Sequence, residues 1–252
     1  MDIDNGILEQ TTDWERKFWK LDSPRLYKYR GDIYRDLFAL QNNLVYIPSR
    51  NQLNDPNESY IVFDNLYKEI DDYEAENTPK NKISLKSELT NKFKNVGVYS
   101  MSKSQCVDCL WSYYANGHKG FCIEYDAKLL FSPFRKKDWF FNLEVAYEDK
   151  RVNPTTSEFR EYFSKRWDFM RKTTATKGSN WAHEQEVRFV LDKKSCYLKI
   201  TPDAVKAIYI GANCDKLHKK LIKSTVLNIN SNVKLYQMYF RKDSFDMYFE
   251  EI

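Results

Sequence analysis

The residues best suited to chemistry lie in SNWAHEQEVRFVL, positions 179–191. Glu184 and Glu186 flank Gln185, Arg188 follows two places on, and the cluster runs directly into apolar residues. Residues two apart on a strand point the same way. Glu186 and Arg188 are therefore expected on one face with Val190, while Val187, Phe189 and Leu191 bury the other. An arginine on its own face keeps a carboxylate ionised. Two like charges at the mouth of an apolar strand fit either a solvated turn or a carboxylate pair that acts on a substrate. Glu184, on the turn before the strand, is expected to be the more mobile of the two, with Trp181 anchoring the turn.

Three more polar clusters fall at expected element ends. YSMSKS puts Ser100 and Ser102 where a strand breaks off. NDPNE, 54–58, is turn chemistry, because Asn, Asp and Pro bend the chain and bond their own backbone. Asn54, Asp55 and Glu58 either cap that turn or contact a ligand or metal. LWSYYANGHKGFCIEYD, 110–126, reads as a short helix, a turn with left-handed Gly117, and a strand. Trp111 and Tyr114 are expected beneath a site, with His118 and Lys119 facing it. Polar groups gathered at several element mouths are expected to meet in one cleft.

The elements that must position these groups read as one α+β domain over 1–252, with a mixed or antiparallel sheet and flanking helices. Expected strands are 25–30, 44–49, 96–101, 121–125, 139–149, 186–191, 196–200, 205–211, 233–240 and 245–252. Expected helices are 11–20, within an N-terminal extension over 1–22, then 32–43 with an Asp32 N-cap, 157–174 and 215–226. Residues 60–95 read as helical but polar, with a flexible insertion at 70–90. Strands 25–30, 96–101, 121–125 and 186–191 are expected in one sheet, because one site needs their ends together.

Composition bounds the function. Seven glycines in 252 residues, and neither GxGxxG nor GxxxxGK[ST], argue against a glycine-rich phosphate loop. A net charge of +4 with no long basic run does not point to nucleic acid. No apolar run is long enough to span a membrane, and the N-terminus lacks a signal-peptide pattern. A cytoplasmic protein with thiols rather than disulfides is expected. Cys106 and Cys109 supply half a zinc site, but Cys122, Cys196 and Cys214 are scattered, so no metal is expected.

Read in order, LYKYR, NDPNE, YSMSKS, LWSYYANGHKGFCIEYD, VAYED, NWAHEQEVRFVL and AIYIG resemble the bacterial family catalogued as domain of unknown function 2971, over residues 25–252. That name implies no activity. Three blocks also resemble the ADP-ribosyltransferase fold. They are RLYKYRG with Lys28 or Arg30 on either side of Tyr29, YSMS with Ser100 and Ser102, and EQEV with Glu184 and Glu186. This second resemblance implies a nucleotide ligand, NAD, as substrate. Glu186 would stabilise an oxocarbenium-like ribose, and Glu184 would orient or deprotonate a nucleophile. Lys28 or Arg30 would pair with pyrophosphate, and Tyr113 and Tyr114 would stack on nicotinamide. The implied activity is ADP-ribosyl transfer or NAD hydrolysis, in a toxin or antiphage effector with a macromolecular target or an antitoxin or regulatory partner. Two alternatives stand beside it. One is a nucleic-acid-directed enzyme such as a nuclease, with Asp55, Glu58, Glu124 and Glu186 as acids. The other is a non-catalytic ligand- or protein-binding module with tyrosines on its contact surface.

Overall fold

The fold is described from a computed structural model, over residues 17–18, 20–55, 57, 64–77, 87, 96–134, 140–153, 172–191, 195–229 and 232–252. Alternation makes the first strand, β1 (Arg25–Arg30): Leu26 joins the main core on one face, and Tyr29 packs on Trp111 on the other. Helix α1 (Ile33–Gln41) starts where Asp32 accepts the amide of Arg35, and buries Ile33, Leu37 and Leu40. Strand β2 (Leu44–Ile47) and helix α2 (Asp64–Asn77) follow. Then come β3 (Gly97–Ser102), α3 (Asp108–Tyr114), β4 (Phe121–Asp126) and α4 (Ala127–Phe131). The chain continues through β5 (Phe140–Glu144), β6 (Ala146–Glu148), β7 (Thr176–Gly178), β8 (Glu186–Leu191), β9 (Cys196–Lys199) and β10 (Val205–Ile210). Helix α5 (Lys216–Ile229), β11 (Lys234–Phe240) and β12 (Met247–Glu251) complete it.

Eight strands form one mixed sheet in the order β12-β11-β10-β4-β1-β3-β8-β5. β10 and β11 are parallel, with α5 between them in the chain, and the other neighbours are antiparallel. The four strands that carry the sequence clusters, β4, β1, β3 and β8, are adjacent, as expected. β1 pairs with β4 at all six residues, whereas β1 meets β3 at the single pair Tyr27↔Ser102 among the described residues. The sheet therefore parts along a seam between β1 and β3.

Packing follows the seam. One face of the sheet from β11 to β8 shares a core with α1, α4 and α5, including Tyr99, Phe131, Ile123, Phe189 and Ile222. The other face carries two separate clusters. Tyr29, Cys122, Tyr209 and Met238 pack with Leu110 and Trp111 of α3. Val98, Val190 and Leu143 pack with Leu66 and Ile70 of α2. Because α2 covers that second face, all six residues of β8 are buried, rather than one face of them.

Two expectations change. The strand read at 139–149 is two strands: Val145 donates its amide to Glu186, Ala146 donates to Ala175, and β6 turns away to pair in parallel with β7. β2 and β9 form their own two-stranded sheet. The expected helix at 157–174 lies outside the described residues except for its last turn, 172–174, which is helical; helix 11–20 and the insertion at 70–90 also fall largely outside them. No helix among the described residues is long and apolar enough to cross a membrane.

Candidate functional site

The seam opens into a cavity of about 500 Å³. Its wall brings together Lys28, Tyr29 and Arg30 of β1, Asn54, Ser100 and Ser102 of β3, Tyr114 of α3, and Glu184 and Glu186. Nine residues singled out in the sequence thus share one space. Tyr27, Asp36, Gln52 and Lys177 join them.

The backbone explains the carboxylate pair. Residues Ser179–Glu184 form a 3-10 helix that ends at Gln185, whose φ of 47° is left-handed. The carbonyl of Gln185 accepts the Lys103 amide, and the reversal lets Glu186 begin β8 opposite Ser102. Glu184 and Glu186 are each 4% exposed. Glu184 is therefore not the mobile partner: it accepts from the Tyr114 hydroxyl at 2.9 Å and from Lys177 Nζ at 2.6 Å. Lys177 Nζ also stands 3.5 Å from Glu186 and 4.6 Å from the Trp181 ring centre. Trp181, expected to anchor the turn, covers this ammonium, an arrangement that the ring's electron-rich face favours.

Glu186 and Arg188 share a face and meet twice, Nε to Oε1 at 2.8 Å and one terminal nitrogen to Oε2 at 3.0 Å. The other terminal nitrogen donates to the Thr174 carbonyl at 2.7 Å. Arg188 itself sits behind the wall, so it acts on the cavity through Glu186. Burial alone would raise the Glu186 pKa. The Arg188 charge and its hydrogen bonds, helped by Lys177 and Ser100, override that and hold the carboxyl at about 2. Across the seam, Lys28 Nζ donates to the Ser100 carbonyl at 2.5 Å and lies 4.8 Å from the Tyr99 ring centre. The amine occupies the gap where the β1–β3 ladder is broken. Burial, then the neighbouring Arg30 guanidinium, lower its pKa to about 7 against the pull of Glu186, Asp36 and Glu184. Arg30 donates to the Tyr99 hydroxyl at 3.1 Å and stands 4.0 Å from Asp36. The Tyr114 hydroxyl is held protonated, by burial first and by Glu184 second.

Chemically, the wall offers an anion that stays charged throughout the neutral range, a lysine able to exchange a proton near pH 7, and a half-buried guanidinium. Aromatic surface comes from Tyr27 and Tyr114.

Some expected members lie elsewhere. His118 does not face the cavity: its ring stacks on Trp111 at 6.3 Å, touches Phe240 at 5.0 Å and bonds Ser112 at 3.1 Å. The cause is the backbone, since Asn116, Gly117 and His118 are all left-handed and turn the imidazole under the sheet end. Lys119 is exposed and lines none of the cavity. Tyr113 is exposed and packs on Trp181 and His183. Asp55 closes its own turn by accepting the Asn57 amide at 2.8 Å, and borders a different cavity of about 270 Å³. Glu124 is bonded by Tyr209 at 2.7 Å, away from Glu186. Glu58 lies outside the described residues. Lys177, Asp36 and Gln52 were not singled out in the sequence. Lys177 could have been found from its place four residues before Trp181 in the same polar stretch, which also holds both glutamates.

No curated protein and no solved structure matches this chain. The likeness to ADP-ribosyltransferases therefore rests on the three sequence blocks alone. Residues 110–189, which run from α3 through Glu184 and Glu186 into β8, match the family described as "Protein of unknown function (DUF2971)", so this part of the chain carries that family's sequence.

Proposed function

We propose that the seam cavity binds NAD and that the protein cleaves its nicotinamide–ribose bond, passing ADP-ribose to water or to a macromolecule. The placing of Glu186 carries this reading. It is a buried carboxylate held ionised by Arg188 at the wall of a cavity that also presents Lys28 and Arg30. When the bond breaks, its electron pair leaves with the pyridinium ring, which departs as neutral nicotinamide. The ribose carbon is left with developing positive charge, and a fixed anion in a dry site stabilises that charge. A carboxyl with a pKa of about 2 is a poor base at neutral pH, so Glu186 is the electrostatic group. Lys28, at about 7, is the group that takes the nucleophile's proton. Depletion or transfer of this kind suits a cytoplasmic toxin or antiphage effector restrained by a partner protein.

Incubation of the protein with NAD, with free nicotinamide measured by chromatography, tests the reading. Release by the parent chain and none by a Glu186→Gln variant shown by circular dichroism to be folded is the expected result. No release under any condition that keeps the parent folded would overturn it. A second reading, ligand binding without catalysis, is favoured by one observation: Arg188 already occupies both oxygens of Glu186. In that case NAD binds and is recovered intact. The nuclease alternative has less support, because no three His, Cys, Asp or Glu side chains among the described residues are grouped to hold a metal.

A further inference from the structure

Past Arg30 the main cavity meets a second one of about 430 Å³, and the two share Arg30, Arg35, Asp36, Pro48 and Gln52. The second cavity differs in character. Leu40, Leu44 and Ile123 supply apolar surface, and Tyr46 and Tyr197 stand beside them. These tyrosines are cross-strand partners on β2 and β9, with ring centres 5.1 Å apart and planes inclined by 56°. Tyr197 remains 53% exposed, although it borders a hollow lined by leucine and isoleucine. The wall is already fixed: Gln52 Oε1 accepts from the Tyr46 hydroxyl at 3.1 Å, from the Ser49 amide at 2.9 Å and from the Ser195 hydroxyl at 3.0 Å. At the junction, Arg30 donates to the Tyr99 hydroxyl and has Asp36 at 4.0 Å, while the largely exposed Arg35 side chain pairs with the same carboxylate at 3.3 Å. An apolar, aromatic hollow joined to a polar, ionised one through two guanidinium groups suits a ligand with a flat ring at one end and anionic groups in the middle.

We propose that the second cavity is the subsite for the distal heteroaromatic base of a dinucleotide, whose phosphates pass Arg30 and Arg35 while its reacting ribose lies at Glu186. This rests on the reading that the main cavity takes the nicotinamide–ribose end. It adds that recognition requires both nucleotides, and that Tyr197 is a binding residue.

The probes are ADP-ribose, which carries the distal base, and nicotinamide mononucleotide, which lacks it. Affinities are measured by titration calorimetry on the full chain and on Tyr197→Ala and Tyr197→Phe. Stacking of a base on an aromatic side chain is strong enough that Tyr197→Ala should weaken ADP-ribose about tenfold. Tyr197→Phe should restore it, and nicotinamide mononucleotide should change less than about twofold. Melting curves of both variants confirm that the fold is retained. No loss for ADP-ribose, an equal loss for both probes, or no binding of ADP-ribose to the parent overturns the subsite. If ADP-ribose binding depends on Tyr197 but no nicotinamide is released from NAD, the subsite stands and the cleavage reading falls.

Discussion

Glu186 and Arg188 are two buried charges joined by two hydrogen bonds, so at this pair site chemistry and stability are not separable. Removing one partner of a buried ion pair leaves the other uncompensated, at a cost of about 3–5 kcal/mol. Glu186→Gln, although nearly isosteric, is therefore expected to lower the melting temperature as well as activity, and Arg188→Ala to damage both more. The sign of the acid response follows from the same pair. The folded carboxyl, at about 2, lies below its ordinary value of 4.5, so its stabilisation is complete above pH 4.5 and is lost as pH falls toward 2. Melting temperatures across that window should fall more steeply for the parent than for the double variant Glu186→Met with Arg188→Met; parallel curves would show that the pair does not govern the response. His118 is the opposite case. Stacked on Trp111 and tilted against Phe240 outside the cavity, it is expected to lower stability when changed to Ala and to leave ADP-ribose affinity unchanged. A loss of affinity without a loss of stability in calorimetry would return it to the site.

At the scale of elements, the turn between α3 and β4 sets where β1 ends. The Gly120 amide donates to Ala115, and its carbonyl accepts from Gly211 at the end of β10. A Cβ on Gly120 would lie 2.0 Å from the Arg30 carbonyl oxygen, a backbone contact relieved only if β1 and this turn move apart. Gly117 is different: its φ is +61°, but a Cβ there meets nothing within 4 Å. Two alanine substitutions three residues apart should therefore separate two causes. Gly117→Ala should cost about 1 kcal/mol through backbone strain and leave ligand affinity intact. Gly120→Ala should cost about 1–3 kcal/mol through overpacking and also weaken ADP-ribose, because it moves the strand that carries Lys28 and Arg30. Urea denaturation with parallel titration measures both, and equal affinities for the two variants would dissociate this turn from the site.

For the whole molecule, the strands were legible because alternation is a local property. β1, β3, β4 and β8 could each be read from their own residues, and their adjacency followed from the polar clusters at their ends. The cavity's position was less legible, because it depends on where pairing between β1 and β3 stops, and a register that fails after Tyr27↔Ser102 leaves no mark in either strand's sequence. Lys177 was missed for a related reason: Thr-Lys-Gly resembles a loop, and it is a strand only because β6 leaves the main sheet to pair with it. The seam also divides the packing, with the Trp111 cluster on one side and the Leu66 cluster on the other. A ligand that touches Lys28 and Arg30 on one bank and Ser100 and Glu186 on the other acts as a bridge between the two halves. At 100 times its dissociation constant it should add about 2.7 kcal/mol to global stability. Its local effect should be sharper than that. Backbone amides within 28–30 and 99–101 that point across the open ladder should exchange hydrogen more slowly with ADP-ribose bound. Under conditions where exchange proceeds by local opening, those of the continuous β10–β11 ladder should barely change. Hydrogen–deuterium exchange read by mass spectrometry decides the matter: slowing confined to the two banks of the seam supports a bridging ligand, and slowing on one bank alone, or nowhere, counts against it.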